Sequence, residues 1–457
     1  MNSEKVELTN TLSRKREVFS PIKPGEVRIY TCGPTVYDYA HIGNLRAYIF
    51  ADILRRTLEY ADYEVKHIMN ITDVGHLQSD ADEGEDKMTL ALKREGKPLT
   101  TSSMHEVAEF YFGAFKDDLA KLNIETPERF PFASDHTKEE VDLIQKLQEK
   151  GLAYKTSDGI YFDTKKFPGY GKLGGIQADI ESRVVNPEKH DSRDFALWKF
   201  DDKLGYDSDL GKGFPGWHIE CSAMSMKYLG DTFDIHTGGV DHIPIHHNNE
   251  IAQSEGATGK PLANFWIHNE WLLVDAKKMA KSNKNFYTLR DIVERGIDPA
   301  TFRFWLLMAN YRSPVNFTFE ALEGAESALK RLRSLYLSMG SETGAVSKKY
   351  RDDFAAHVFN DLDTPGALTV VWELLKDEKV SDADKKATLL DFDKVLGLGI
   401  AGWKKEEIPL EIKKIVAQRE EARKNQDWEK SDKLRQASVA GGYGIDDTSS
   451  GPEVHKL

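Results

Sequence analysis

The first third of the chain contains a strand, a loop, a helix and a second strand in close succession. Residues 27–32 (VRIYTC) and 65–72 (VKHIMNIT) are short runs rich in β-branched and apolar side chains, and residues 44–61 have apolar side chains at helical spacing. A helix that joins two strands in this way indicates a parallel sheet, which binds ligands at the carboxyl ends of its strands. No GxGxxG motif follows the first run, which argues against a dinucleotide dehydrogenase.

The sheet pattern returns later, so the sheet is predicted to be split by an insertion. Residues 232–237 and 266–274 read as strands, and a helix is predicted over 246–255 after Pro244. From 288 to about 400 the spacing is almost wholly helical, which is typical of a helical bundle. The predicted fold class is therefore α/β, with a split parallel sheet followed by a helical bundle and a small C-terminal unit.

Residues 217–250 contain the densest group of side chains that can bind a metal. Four histidines, at 236, 242, 246 and 247, lie near Cys221 and several acids. Glu250 follows His246 by four residues and His247 by three, so on a helix either pair can face one site. With Cys32, these residue types could form a four-ligand zinc site. The spacing alone does not choose between the two histidines, and it equally allows both cysteines to be ordinary buried side chains.

Two further segments could bind phosphate. The loop 34–44 (PTVYDYAHIGN) leads into a helix, whose free backbone N–H groups and dipole attract anions. Lysines at 277, 278 and 281 lie in KKMAKS after a strand, where they could neutralise charge on a phosphate. Taken alone, this second segment is more typical of a solvated charge run.

The overall charge restricts how the chain could bind nucleic acid. It has 62 Lys and Arg against 75 Asp and Glu, a net charge of −13, so nucleic acid would have to bind through local basic patches. The presence of only two cysteines excludes a disulfide scaffold. No signal peptide or run of 18 apolar residues is found, and we expect a cytoplasmic protein that does not bind membranes.

Taken together, the motifs resemble those of the class I aminoacyl-tRNA synthetases. HIGN at 41–44 and KMAKS at 278–282 resemble the HIGH and KMSKS signatures of that class. More narrowly, the chain is similar to the cysteinyl-tRNA synthetase family. The segments that carry this resemblance are CGPTVYDYAHIG at 32–43, NITD at 70–73, GWHIECSAMS at 216–225, DIHTGGVDHIPIHHNNEIAQS at 234–254, DLDTP at 361–365 and WEKSDKLR at 428–435.

The resemblance implies a ligase that activates L-cysteine with ATP and transfers it to the 3′ end of cysteine tRNA. It implies one Zn²⁺ per chain and Mg²⁺ with the ATP. The resemblance assigns roles to the following residues: zinc ligands Cys32, Cys221, His246 and Glu250; catalytic residues His41, Asn44, Lys278 and Lys281; ATP-binding residues His41, Gly43, Asn44 and Lys281; and cysteine-binding residues Thr72, Trp217, His236 and Asp241.

The resemblance also implies a Rossmann-like catalytic domain and a division of the chain. The expected parts are residues 1–125 and 216–295 for the two halves of the catalytic domain, 126–215 for the connective insertion, 296–402 for the helical bundle and 403–457 for a small anticodon-binding region. Basic side chains of the last two parts are expected to contact tRNA: Lys330, Arg331, Arg333, Lys413, Lys414, Arg423 and Lys424. Nothing in the sequence demands more than a monomer.

Two departures from the signatures and one unusual segment qualify these expectations. Asn44 replaces the second histidine of HIGH, and Ala280 replaces the middle serine of KMSKS, which predicts slower adenylate formation. An acidic run at 80–86 is expected to be a solvated loop, with a magnesium or tRNA contact as the alternative.

The competing functions are a cysteine ligase that acts on an amino sugar and a catalytically silent tRNA-binding paralogue.

Overall fold

The computed structural model describes residues 5–74, 87–175, 186–279, 285–404, 409–448 and 451–456. The chain divides into two compact units, Met1–Ala401 and Gly402–Leu457. The strands are β1 (Glu7–Asn10), β2 (Lys15–Val18), β3 (Glu26–Thr31), β4 (Glu64–Met69), β5 (Ala153–Lys155), β6 (Gly159–Phe162), β7 (Phe195–Phe200), β8 (Gly213–Pro215), β9 (Phe233–Gly239), β10 (Ala263–Asn269), β11 (Leu272–Val274), β12 (Lys277–Lys278), β13 (Val315–Phe317), β14 (Tyr443–Thr448) and β15 (Gly451–Lys456). The helices are α1 (Ile42–Tyr60), α2 (Lys87–Arg94), α3 (Thr101–Lys121), α4 (Thr137–Glu149), α5 (Trp217–Leu229), α6 (Asn248–Thr258), α7 (Leu289–Glu294), α8 (Pro299–Leu307), α9 (Phe319–Ser338), α10 (Lys348–Val358), α11 (Thr364–Lys376), α12 (Asp382–Leu396), α13 (Leu410–Lys424) and α14 (Trp428–Ala440).

The central sheet of the first unit is parallel, as predicted. Its strand order is β10-β9-β3-β4, so the two strands that follow the insertion join the two that precede it through the pairing of β9 with β3. Strand β3 is flanked by β9 and β4, and its last three residues are buried. All four carboxyl ends therefore lie along one edge, where Cys32, Asn70, Val240 and Glu270 follow the strands.

The segment between the two halves forms its own antiparallel sheet, in the order β5-β6-β7-β8. Its apolar face packs on α4, α5 and α6 through a buried cluster that includes Ile144, Phe162, Leu197 and Ile219. Because α5 continues directly from β8, this packing fixes the start of α5 at Trp217.

A buried ion network joins α1 to α8. Arg303 Nη2 lies 2.6 Å and Arg56 Nε 2.8 Å from Asp52 Oδ2, and Arg303 also donates to the carbonyl oxygens of Leu396 and Leu122. Burial acts to raise the pKa of the Asp52 carboxyl, but the two guanidinium groups outweigh it and hold this pKa below its ordinary value. The network ties the helices after residue 288 to the helix that carries the HIGN segment.

Two predicted elements differ from the structure. The run 266–274, read as one strand, is divided between β10 and β11, which lie in different sheets, because the chain turns at Glu270 and Trp271. In the second unit the basic segment 413–435, which the sequence predicts to be one helix, lies in two helices, α13 and α14, which are separated at Gln426, where φ is +57°. The strands β14 and β15 form a hairpin there.

Candidate metal centre and active site

A cavity of about 300 Å³ opens at the carboxyl edge of the parallel sheet. Cys32, Asp241 and Glu270 line it from just beyond β3, β9 and β10, and Trp217 lines it from the start of α5. The loop after β3 and the amino end of α1 complete the wall. The cavity therefore lies where a parallel sheet is expected to bind a ligand.

Four residues from separate segments converge beneath this cavity. Cys32, Cys221, His246 and Glu250 each offer one ligand atom, and the four atoms lie within 4.8 Å of one another. Cys32 Sγ is 4.0 Å from Cys221 Sγ and 3.7 Å from Glu250 Oε1, and His246 Nε2 is 3.1 Å from Glu250 Oε1. Only Cys32 of the four lines the cavity. A metal held here would lie at the cavity floor.

The local backbone explains how His246 and Glu250 come to face the same point. Residues Ile243–His247 form a single turn of π-helix, with Pro244 near its start, and α6 continues from it. Such wide turns occur frequently at functional sites because they re-aim side chains within a helix. Both side chains point into the protein, with exposures of 1 % for His246 and 0 % for Glu250.

The electrostatics of the cluster suit a cation. Burial acts to raise the pKa of Glu250, but His236 and His246 hold it below its ordinary value. Burial likewise raises the pKa of the Cys32 thiol, whereas hydrogen bonds from Cys32 and His246 outweigh burial at Cys221 and lower its pKa to about 6. The Nε2 atom of His246 is buried 3.1 Å from Glu250 Oε1, and its Nδ1 lies 2.8 Å from His218 Nδ1. Two sulfurs, an imidazole nitrogen turned toward the cluster and a carboxylate are donors that fit zinc.

An overlapping set of four contains the neighbouring histidine. Cys32, His236, His247 and Glu250 also offer ligand atoms within 4.8 Å of one another. In this set, however, His247 Nδ1 lies 2.7 Å from His268 Nε2, and His236 Nε2 lies 2.8 Å from Glu250 Oε2. His246 uses its Nδ1 in the same way, at 2.8 Å from His218 Nδ1, so this hydrogen bonding does not separate the two histidines. They differ because Cys221 belongs only to the set that contains His246.

Gly238 gives the histidines room to approach the sheet. A Cβ atom built on this residue would lie 2.6 Å from His242 Nδ1 and 2.7 Å from His247 Cε1. Real side chains essentially never approach this closely, so any larger residue would displace the rings. The first glycine of the TGGVDH segment is therefore required for the rings of His242 and His247 to pack against β9.

The HIGN segment forms the amino end of α1. His41 is the N-cap residue, and its Nδ1 accepts a hydrogen bond from the Asn44 backbone N–H at 3.1 Å, while Asn44 Oδ1 accepts one from the His41 N–H at 3.3 Å. Asn44 thus completes a capping box. His41, Gly43 and Asn44 all line the cavity, at the positive end of a 19-residue helix.

Several predicted residues lie outside the part of the chain that the structure describes. These are Ala280, Lys281, the side chain of Lys278 and the acidic run at 80–86. The backbone of Lys278 pairs with Leu273 in the β11–β12 ladder, and Met279, which follows it, lines the cavity.

The four residues expected to bind cysteine fall into two groups. Trp217 and Asp241 line the cavity. Thr72 and His236 are buried behind its wall, at 1 % and 0 % exposure, where Thr72 Oγ1 donates to Glu220 Oε2 at 2.8 Å and His236 bonds to Glu250. The described side chains that line the cavity do not include these two.

Sequence reasoning missed several residues of the wall. Lys87 lines the cavity with its Nζ 6.0 Å from the Trp217 ring, and Tyr37, His242 and Glu270 line it as well. His242 and Tyr37 fall within motifs on which the family resemblance rests, so the sequence could have identified them as site residues. Lys87 lies in a segment with no motif, and only the fold brings it to the site.

The basic residues predicted to contact tRNA lie on helices of both units. In the first unit, Lys330 is ion-paired with Glu326, and the Arg331 guanidinium lies 5.9 Å from the Trp372 ring. In the second unit Lys413, Lys414 and Lys424 are exposed on α13. Arg423 differs, because its Nη1 lies 2.6 Å from Asp447 Oδ2.

Comparison with known proteins places this geometry in a family. The profile described as "tRNA synthetases class I (C) catalytic domain" matches residues 18–327. Cysteine–tRNA ligase 1 of Burkholderia lata is 45% identical over 460 residues, which cover 98% of this chain and 96% of that protein. The chain belongs to the cysteinyl-tRNA synthetase family. The cysteine–tRNA ligase of Treponema denticola is also similar, with 39% identity over 99% of this chain and 100% of its own length.

Solved structures with a similar fold come from the same class. The ternary complex of Agrobacterium radiobacter K84 agnB2 LeuRS with tRNA and LeuAMS has a TM-score of 0.60 at 12% identity, and it covers 84% of this chain and 85% of its own. Mycobacterium tuberculosis methionyl-tRNA synthetase with methionyl-adenylate has a TM-score of 0.57 at 15% identity, over 82% and 90%. The predicted Rossmann-like α/β fold is therefore confirmed. As a member of the cysteinyl-tRNA synthetase family, the chain is an aminoacyl-tRNA ligase. None of its described helices is long and apolar enough to cross a membrane.

Proposed function

We propose that this synthetase activates L-cysteine with ATP and transfers it to the 3′ end of cysteine tRNA, and that Zn²⁺ selects the amino acid. The observation that carries the proposal is the buried cluster of Cys32, Cys221, His246 and Glu250 at the floor of the cavity. Similarity over nearly the whole chain to cysteine–tRNA ligases supports it.

The proposed ion is Zn²⁺ held by those four residues. We prefer His246 to His247 because Cys221 belongs only to the set that contains His246. When bound, the ion would supply a soft contact for the thiol of the substrate, which a serine hydroxyl matches poorly and an alanine side chain lacks. One missing methylene in an apolar pocket discriminates far less.

In the first step, an oxygen of the cysteine carboxylate attacks the α-phosphorus of ATP. A phosphorus–oxygen bond forms, the bond to the bridging oxygen of the β-phosphate breaks, and pyrophosphate leaves. The amino end of α1 would attract the phosphates through the positive end of its dipole, with Gly43 allowing close approach, since the N–H groups of His41 and Asn44 are used within the capping box. Lys278 and Lys281 would stabilise the charge on the departing pyrophosphate. Mg²⁺ would enter with the triphosphate, and no described residue is assigned to it.

In the second step, a hydroxyl of the terminal ribose attacks the carbonyl carbon of the adenylate. The ester bond forms, AMP leaves, and the proton of the hydroxyl is lost to solvent or to a phosphate oxygen. Neither step requires a protein nucleophile, so positioning and charge stabilisation supply the catalysis.

The amino-acid pocket is proposed to be lined directly by Trp217 and Asp241. Thr72 and His236 would act from behind it, Thr72 through Glu220 and His236 through Glu250. This geometry supports positioning roles for both residues.

Every described residue that lines the cavity belongs to one of the two proposed catalytic halves, residues 1–125 and 216–295. We propose that residues 296–402 and 403–457 contact the stem and the anticodon end of the tRNA. A monomer and a cytoplasmic location stay predictions.

The proposal is tested by cysteine-dependent exchange of pyrophosphate into ATP, followed by charging of cysteine tRNA. We expect both activities in protein whose zinc content is one per chain. Exchange with no charging of tRNA, but coupling of cysteine to an amino sugar, would favour the alternative ligase. The absence of any cysteine-dependent exchange would contradict the proposal.

A further inference from the structure

Helix α3 exposes an aromatic side chain beside the cavity. Phe110 is 61 % exposed, whereas every other phenylalanine and tryptophan that the structure describes before residue 402 is buried or half-buried. A single exposed apolar residue is common on a protein surface and needs no explanation. The Phe110 ring differs because it adjoins other aromatic rings that line the cavity.

Phe110 is part of an aromatic step with Tyr39 and Tyr111. The Phe110 ring centre lies 5.1 Å from that of Tyr111 and 6.3 Å from that of Tyr39, and the two tyrosine rings are 5.2 Å apart. Tyr39 and Tyr111 line the cavity. The aromatic step therefore runs without a break from the cavity wall to the protein surface.

The aromatic step is held in place and meets the cavity near the proposed phosphate site. Tyr111 donates a hydrogen bond from its hydroxyl to Glu95 Oε1 at 2.7 Å and accepts one from Arg94 Nη2 at 2.9 Å. Tyr39 lies two residues before His41, the N-cap of α1. A chain that enters over the aromatic step would thus arrive at the end of the cavity that is formed by the amino end of α1.

Two carboxylates beside the aromatic step are paired with Arg94. Arg94 Nη1 lies 3.0 Å from Asp38 Oδ2, and Arg94 Nε lies 3.2 Å from Glu95 Oε1. The guanidinium carbon is 5.6 Å from the Tyr111 ring centre. Because Arg94 partly neutralises these two carboxylates, they repel an approaching phosphate less than two unpaired carboxylates would.

We propose that the unpaired bases preceding the terminal adenosine of the tRNA stack on Phe110 and are guided past Tyr39 into the cavity. This inference rests on the proposed function, since only a tRNA ligase must bring a terminal ribose to an adenylate. Aromatic rings stack on any base, so the step needs no sequence readout, and truncation of such a ring commonly lowers affinity about tenfold. The occupant is single-stranded nucleic acid, and a protein partner at the same ring would leave charging unaffected.

The first test compares Phe110→Ala, Phe110→Trp and Leu99→Ala, the last being a control at a side chain that is 48 % exposed and has no place in the aromatic step. We expect Phe110→Ala to raise the KM for tRNA in charging about tenfold, Phe110→Trp to restore it, and Leu99→Ala to leave it unchanged. Pyrophosphate exchange, which needs no tRNA, is the reference. An unchanged KM for tRNA in Phe110→Ala, or an equal loss in exchange, would overturn the inference.

A second test observes the stacking itself. Cysteine tRNA carries pyrrolo-cytosine in place of the cytosine before the terminal adenosine, and its fluorescence is followed as enzyme is added. We expect quenching with the unaltered enzyme and with Leu99→Ala, and little quenching with Phe110→Ala at saturation. Equal quenching in all three proteins would overturn the inference. Failure of the proposed function is distinguishable, because the unaltered enzyme would then lack cysteine-dependent exchange altogether.

Discussion

The sulfur atoms of Cys32 and Cys221 lie 4.0 Å apart although the two residues are 189 positions apart in the sequence. Cys32 follows the central strand β3, and Cys221 lies in the second turn of α5. The two residues come together because strands from before and after the insertion pair in one parallel sheet. A chain with only two cysteines brings both to one point, and that point lies under the cavity.

Replacement of Cys221 by serine should release the metal. The hydroxyl is a harder and far less acidic donor than the thiol, so we expect Cys221→Ser to reduce bound zinc well below one per chain. Ser225→Ala, on the same helix, is the matched control, since the Ser225 hydroxyl donates to the carbonyl oxygen of Ser222. Metal analysis after gel filtration measures the outcome, and full zinc content in Cys221→Ser would contradict the ligand assignment.

The two neighbouring histidines should differ in their effect on the metal. His246→Gln removes a proposed ligand, so binding should be lost, whereas His247→Gln removes a neighbour and should weaken binding by about 10–100-fold. Competition with a chelating indicator dye gives both affinities. A larger loss in His247→Gln than in His246→Gln would favour the overlapping set of ligands instead.

A methyl group at Gly238 should disturb the cluster. In Gly238→Ala the new Cβ would meet the rings of His242 and His247 at under 3 Å, so we expect loss of metal and of cysteine-dependent exchange. Gly113→Ala in α3 meets nothing within 4 Å and is the control, which should be neutral or slightly stabilising. Normal metal content in Gly238→Ala would show that the rings can move aside.

The Asp52 network should dominate the acid stability of the first unit. Asp52→Asn leaves Arg303 buried without its counter-charge, and we expect a loss of about 3–5 kcal/mol in the free energy of unfolding. Because the folded-state pKa of Asp52 lies below its unfolded value of about 3.9, its contribution is complete above that pH and is lost as the pH falls through the folded-state pKa. The exposed Asp142→Asn should change stability by less than about 0.5 kcal/mol.

Urea unfolding at pH 7 and at pH 3, followed by far-UV circular dichroism, checks this prediction. The difference between the original protein and Asp52→Asn should shrink at the lower pH. A difference that stays constant, or an Asp142→Asn variant that loses as much stability as Asp52→Asn, would show that the network contributes less than its burial indicates.

Much of the fold and site could be predicted because the informative patterns are local. The strand before Cys32 and the helix after His41 follow from apolar spacing, and the four candidate metal ligands follow from their residue types and from the family resemblance. The division at Glu270 could not be predicted, because WIHNEWLLV reads as one apolar run and only pairing with different neighbours separates β10 from β11. The positions of Thr72 and His236 behind the wall depend on tertiary contacts with Glu220 and Glu250, which motif spacing does not contain.

The most direct test of the central claim is charging of cysteine tRNA with cysteine and with serine, on protein whose zinc has been measured. We predict charging with cysteine at one zinc per chain, no detectable charging with serine, and loss of cysteine charging when a chelator removes the metal. Undiminished charging by zinc-free protein would contradict the account.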